Sequence, residues 1–392
     1  MAARRLVLAM IEPPLPFGNA AARWFYVLLK GLVERGHRVT AFAACSKPRE
    51  IEESRALFPA PDYDLRLYPF PLGGGLASKW RTLRRPYSYM FGPGFRRDLD
   101  AELAKGYDIL HLEQLWAGWL AVDRPGRALV NVHHLVWIDL GESAPKTWRE
   151  ALDRRLSDHA ERTLIRRLEH FRACSPRLVE PMREVNPSAD ITVVPVGIDA
   201  SLYEYIPDDR RSRAPTITLV GTMNWYPGYS AAVRLLTRLW PEIRRRVPAA
   251  NLQIIGWSAR SALAEFLDMP GVEVHEDVPE VRPYFEKTAV MVYAPSRGSG
   301  MKIKILESMA SGVPVVTTSE GVEGLPAVDG VHAGICEDDA GLIDRAVDLL
   351  EDPARQDRQR REARGLIESH CGPSATVGAI ESIYERMLEI PR

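Results

Sequence analysis

The densest chemistry in the chain is Arg297-Gly298-Ser299-Gly300-Met301-Lys302-Ile303-Lys304-Ile305-Leu306-Glu307, followed by Ser308-Met309-Ala310-Ser311-Gly312 and Val313-Pro314-Val315-Val316. Small residues, two lysines and a carboxylate meet where a loop should become a helix. On a helical wheel Lys304, Glu307, Ser308 and Ser311 share one arc, and Ile303, Ile305, Leu306, Met309 and Ala310 fill the rest. Gly312 stands where a C-cap belongs, and Pro314 follows where a helix cannot continue. A Gly-Ser-Gly loop opening this helix leaves backbone N–H groups at the positive end of its dipole. That end suits phosphate, the lysines reinforce it, and Glu307 could accept hydrogen bonds from sugar hydroxyls. A buried helix carrying a solvated lysine pair would show the same pattern, so the surrounding elements decide between them.

Those elements alternate strand and helix. In the first half, strands are expected at Leu6–Ile11, His37–Ala44, Asp108–Leu112, Ala128–Val132 and His170–Cys174. Helices are expected where Trp24, Val27, Leu28 and Leu32 recur, and from Trp148 to about Glu169. After the polar, proline-bounded segment 207–215 the scheme repeats. Strands fall at Thr216–Val220, Leu252–Ile255, Val272–His275, Val290–Tyr293 and Val313–Thr317, and helices at Tyr229–Val247, Val281–Lys287 and Thr376–Leu388. This alternation predicts α/β architecture: two doubly wound, Rossmann-like domains facing across a cleft, with ligands outside the carboxyl ends of the strands. The expected division is 1–195, 196–375 and a C-terminal helix, 376–392, crossing back to the first domain.

Composition narrows the classes. With 392 residues, 46% hydrophobic and 26% charged, the chain suits two soluble domains. Its net charge of −1 gives no overall footprint for nucleic acid. Cys45, Cys174, Cys336 and Cys371 form no CxxC pair, which argues against a zinc site or disulfide framework and agrees with a reducing cytoplasm. No apolar run is long enough to span a membrane, and the first apolar run is too short for a signal peptide. No GxGxxG follows the first strand and no GxxxxGK[ST] occurs, so dinucleotide and P-loop readings lose most of their support.

Several segments together resemble the retaining glycosyltransferases of the GT-B fold, in the large family that includes glycogen- and sucrose-related synthases. They are Leu219-Val220-Gly221-Thr222-Met223-Asn224-Trp225, Ile254-Ile255-Gly256, Ala294-Pro295-Ser296, Gly300–Glu307 and Met309–Val316. The first half adds Gly36-His37-Arg38-Val39-Thr40, His133-His134 and Val194-Pro195-Val196-Gly197-Ile198-Asp199. The resemblance implies a cytoplasmic, metal-independent enzyme without cofactor. It would move a sugar from a nucleoside-diphosphate donor to a hydroxyl of a glycan, glycolipid or small glycoside, with retention. The C-terminal domain would bind the donor and the N-terminal domain would shape the acceptor site.

Carried over residue by residue, Glu307 matches the second acid of the family's E-x7-E motif and would hold the ribose. The first acid is replaced by Ser299. Gly18, Gly221, Thr222, Arg297, Ser299, Gly300 and Met301 would line the donor site, with Arg297, Lys302 and Lys304 on the diphosphate. The arginine and lysine that many members carry after Gly221 are absent from Thr222-Met223-Asn224-Trp225-Tyr226-Pro227. His133, at the carboxyl end of its strand, would sit near the donor sugar as a positioning group. Asn19, Glu113 and His134 are the acceptor-side candidates, Asn19 being equally an N-cap.

Lys79-Trp80-Arg81-Thr82-Leu83-Arg84-Arg85-Pro86-Tyr87 is basic with interleaved aromatics. It suits peripheral contact with an anionic membrane, or a solvated surface segment. Two alternatives remain at this point. One is a nucleotide-sugar epimerase of the same fold; the other is a binding relative without turnover, which Ser299 and the missing cations would favour.

Overall fold

The computed structural model describes residues 3–17, 20–71, 85–141, 143–212, 214–296 and 298–389. Two parallel sheets organise the chain. The first comprises β1 (Arg5–Met10), β2 (Arg38–Cys45), β3 (Asp64–Pro69), β4 (Ile109–Glu113), β5 (Ala128–Val132), β6 (His170–Ala173) and β7 (Asp190–Val193), in the order β3-β2-β1-β4-β5-β6-β7. The central strands read as nearly unbroken apolar runs because helices cover both faces of a parallel sheet. Leu6, Leu8 and Met10 of β1 are wholly buried. The edge strands β3 and β7 are half-exposed and carry charge, Asp64-Leu65-Arg66 and Asp190-Ile191-Thr192, so periodicity did not predict them.

The second sheet comprises β8 (Thr216–Val220), β9 (Asn251–Gly256), β10 (Val272–Glu276), β11 (Val290–Tyr293), β12 (Val315–Thr317) and β13 (Gly334–Ile335), ordered β10-β9-β8-β11-β12-β13. Both sheets are doubly wound, as expected. The order reverses between β1 and β4 in the first and between β8 and β11 in the second, which makes the carboxyl ends of those strands the natural ligand positions.

The chain divides into two compact units. One holds Met1–Trp137, Ala144–Ile198 and Pro373–Arg392; the other holds Ile138–Ser143 and Asp199–Gly372. The C-terminal helix, Pro373–Glu389, thus belongs to the first unit, and the short excursion Ile138–Ser143 belongs to the second. Gly31, on the Ala20–Glu34 helix, is what lets the C-terminal helix approach: a Cβ there would stand 2.7 Å from Val377 Cγ2. Glu381 then accepts from Arg35 Nε at 2.5 Å and bonds His37 Nε2 at 2.8 Å.

In the second unit the expected helix after β8 runs Tyr226–Arg234, continues through a π turn at Leu235–Leu239 and ends at Trp240–Arg246. Pro241 has no N–H to offer the preceding turn, which accounts for the widened ladder. Among the described residues no helix is long and apolar enough to cross a membrane.

Candidate functional site

In the second unit the loops after β8 and β11 flank the strand-order reversal, and the Ile303–Ala310 helix rises beside them. Its ends are as the sequence requires. Lys302 is the extended N-cap residue, and Gly312 takes the left-handed conformation (φ 72°) after the last turn. Lys304 is the electrostatic focus. Its ammonium lies 4.3 Å above the Tyr293 ring centroid and donates to Tyr293 Oη at 3.3 Å.

Gly221, just past β8, leaves the room for it: a Cβ there would stand 3.1 Å from Lys304 Nζ. Burial, and then the like charge of Lys302, push the Lys304 ammonium down to about 7. Lys302 Nζ donates to the Gly300 carbonyl. Gly256 is far more constrained, because a Cβ would land 1.6 Å from the Gly221 carbonyl oxygen and displace that loop.

Ser299 is fully buried and engaged. Its backbone N–H and its hydroxyl both donate to Asp139 Oδ1, at 2.7 and 2.6 Å, across 160 positions of sequence. Gly298 N–H donates to Glu320 Oε2 at 2.9 Å. The loop that leads into the helix is therefore held by two carboxylates from elsewhere in the same unit. Glu307 accepts from Tyr203 Oη at 2.9 Å, which fixes the carboxylate one turn above Lys302.

Gly300 is buried and Met301 half-buried, whereas Thr222 is exposed. Ser308 departs from the wheel's polar arc. It is buried, its one hydroxyl proton shared between the Lys304 carbonyl at 2.7 Å and Met291 Sδ at 2.6 Å, so it faces β11 and not the lysines. Gly18, Asn19, Arg297 and most of the basic segment 79–87 lie outside the described residues.

In the first unit the expectation that Glu113 meets acceptor hydroxyls gives way to a different placement. Glu113 is the last residue of β4 and is wholly buried. Trp24 Nε1 donates to Oε2 at 3.1 Å, Asn131 Nδ2 donates to Oε1 at 2.6 Å, and His133 Nε2 lies 3.2 Å from Oε2. Burial alone would raise this carboxyl; the electrostatic pull of the neighbouring His111 and His133 rings, with the His133 hydrogen bond, outweighs it and holds Glu113 below the usual carboxylate range. Its contacts make it a brace for His133.

His133, just past β5, is 11% exposed at its side chain, with the Phe25 ring edge-on at 6.1 Å. Burial lowers its pKa, outweighing the Glu113 carboxylate, while Arg172 and His134 push the same way as burial. The imidazole is thereby kept neutral near pH 7. His134 is half-buried, edge-on to Trp116 at 6.0 Å.

Sequence reasoning missed Asp139, Tyr203 and Tyr293, whose partners are remote or whose character is that of ordinary core aromatics. Asn131 and His111 did carry a signal: each is a polar residue flanked by apolar ones inside a fully buried strand.

Comparison with known proteins fits this geometry. Residues 214–352 match the family model for glycosyl transferases group 1, and residues 21–202 match the model for glycosyltransferase family 4. The chain is 24% identical to a glycogen synthase of Mycobacterium tuberculosis, over 97% of this chain and 94% of that protein. It is 30% identical to a GDP-mannose-dependent alpha-(1-6)-phosphatidylinositol monomannoside mannosyltransferase of Mycolicibacterium smegmatis, over 43% of this chain and 49% of that one.

Among solved structures, sucrose-phosphate synthase from Thermosynechococcus elongatus superposes with a TM-score of 0.73 at 16% identity, covering 98% of this chain and 99% of that one. Anabaena HepE in complex with UDP and glucose gives 0.68 at 11% identity, covering 97% and 100%. With glycosyltransferase models matched over both halves and two doubly wound units in one chain, the protein belongs to the glycosyltransferases of the GT-B fold.

Proposed function

We propose that the enzyme takes a nucleoside-diphosphate sugar and holds the diphosphate at the amino end of the Ile303–Ala310 helix, with Glu307 on the ribose. One observation carries this reading. Lys304 is a largely desolvated cation, within electrostatic reach of a second lysine, beside the glycine backbone at Gly221. Such an arrangement is unfavourable until an anion arrives, and it stabilises charge that grows on a leaving diphosphate. Lys302, Lys304 and Arg297 supply that charge in place of the cations missing after Gly221. The HepE complex with UDP and the GDP-mannose-dependent relative support a nucleotide sugar as donor.

The transfer is read as retaining and metal-independent. The acceptor is a hydroxyl of a glycan, glycolipid or small glycoside, served by the first unit, where His133 orients a substrate hydroxyl. Peripheral contact with anionic membrane through segment 79–87 belongs to the same proposal. A thermal-shift panel of UDP, GDP, ADP and TDP tests the donor reading. A nucleotide at 100 times its Kd adds about 2.7 kcal/mol, or about 5–10 °C for a unit of this size. The matching nucleotide sugar should then yield transfer product by mass analysis. No shift with any of the four, in wild type and in Lys304→Ala alike, would remove the reading.

A further inference from the structure

Behind His133 lies a row of buried polar groups that a substrate-binding histidine would not need for solubility or packing. Glu113 is ionised and can only accept, so the ring nitrogen facing it, His133 Nε2 at 3.2 Å, must carry the proton. On the other carboxylate oxygen, His111 Nε2 stands 3.0 Å from Oε1, close enough to pair electrostatically though not aligned as a hydrogen bond. His111 Nδ1 meets Tyr384 Oη on the C-terminal helix in a short contact. Burial, with the charges of Glu113 and Glu381 adding to it, raises the Tyr384 phenol well above its ordinary value, so it stays a donor. A phenol donating to Nδ1 puts the His111 proton on Nε2, toward Glu113. His111, Glu113 and Tyr384 are all wholly or almost wholly buried.

Arg172, stacked 4.7 Å from the Trp24 ring centroid, and His134 are the other charged or titratable groups acting on His133. Both disfavour a second proton on its ring. Among the described residues His133 Nδ1 has no hydrogen-bond partner, and the side chain keeps a small exposure.

We propose that Tyr384, His111 and Glu113 form a positioning relay that fixes His133 as the Nε2–H tautomer and leaves Nδ1 as an acceptor for a sugar hydroxyl. The relay ties substrate orientation to the C-terminal helix through groups that never touch substrate. A neutral imidazole offering a lone pair accepts from a hydroxyl and gives a carboxylate or phosphate nothing to bind. The proposal rests on the glycosyltransferase reading above for the identity of the hydroxyl; the tautomer itself needs no substrate and is measured separately.

The test is long-range 1H–15N NMR of the full chain labelled in the histidine rings, with His133 assigned by its disappearance in His133→Asn. Wild type should show a protonated Nε2 and a bare Nδ1 at pH 7.5. Glu113→Gln, whose amide can donate as well as accept, should mix the two tautomers of His133. Tyr384→Phe should do so partially. Both variants should lower kcat about 10- to 100-fold with a smaller change in donor KM, as misorientation does. A purely structural role predicts lower thermal midpoints with the His133 signals unmoved. That result, or an Nδ1–H tautomer in wild type, would overturn the relay. Lack of transfer with every nucleotide sugar, beside an intact tautomer signature, would instead strike the donor reading.

Discussion

Replacing Lys304 by methionine separates the cost of the site from its use. The ammonium is held down from 10.5 to about 7, a penalty on the charged form of about 4–5 kcal/mol if taken whole at 1.36 kcal/mol per pKa unit. The side chain keeps partial access to solvent, and screening there reduces this to roughly 2 kcal/mol. Methionine fills a similar volume and keeps a favourable contact with the Tyr293 ring. Lys304→Met should therefore raise the thermal midpoint by about 4–8 °C at pH 6.

The sign follows from proton counting. Below about pH 7 both folded and unfolded chains hold the proton and the penalty is full. Between about 7 and 10.5 the unfolded chain holds more protons, so wild-type stability rises with pH and the variant's advantage shrinks. Turnover should move the other way, with kcat/KM down about 10²- to 10³-fold through loss of charge opposite the leaving group. Differential scanning fluorimetry from pH 6 to 9, with initial rates beside it, reads both. A variant less stable than wild type at pH 6, or one as active as wild type, would refute the reasoning.

Glu307→Gln should raise the donor KM by about 10-fold with kcat little changed, as expected when a charge-assisted bond to the ribose weakens uniformly; steady-state kinetics decide it. Asp139→Ala should cut kcat/KM by about 10-fold by freeing the Ser299 N–H and hydroxyl, and Asp139→Asn, which can still accept, should restore most of it. Gly256→Ala should cost more than about 3 kcal/mol, seen as a lowered thermal midpoint, because its Cβ cannot coexist with the Gly221 carbonyl. Nucleotide binding at pH 7.5 should take up protons as the diphosphate restores the Lys304 charge, and calorimetry in two buffers of different ionisation heat reads the uptake.

The central strands of both sheets were legible because strands buried on both faces must be apolar throughout; β5 and β8 begin and end where periodicity placed them. The edge strands β3 and β7 and the two-residue β13 were not, since half-exposed pairing leaves little hydrophobic signal. The lysine-bearing helix and its glycine terminus were readable from local rules of capping. What those rules could not reach was partnership at long range. Asp139 has no neighbour in sequence that announces Ser299, and Glu113 looked like a cleft-facing acceptor group because its burial depends on Trp24, Asn131 and His133 arriving from another helix and strand, beside His111 of its own strand. Polar residues inside fully buried strands were the one unused clue to that cluster.

Everything above turns on where the nucleotide binds. A crystal structure with UDP or GDP should place a phosphate oxygen about 3 Å from Lys304 Nζ and the ribose beside Glu307. A nucleotide bound with its diphosphate away from Lys304 would contradict the account.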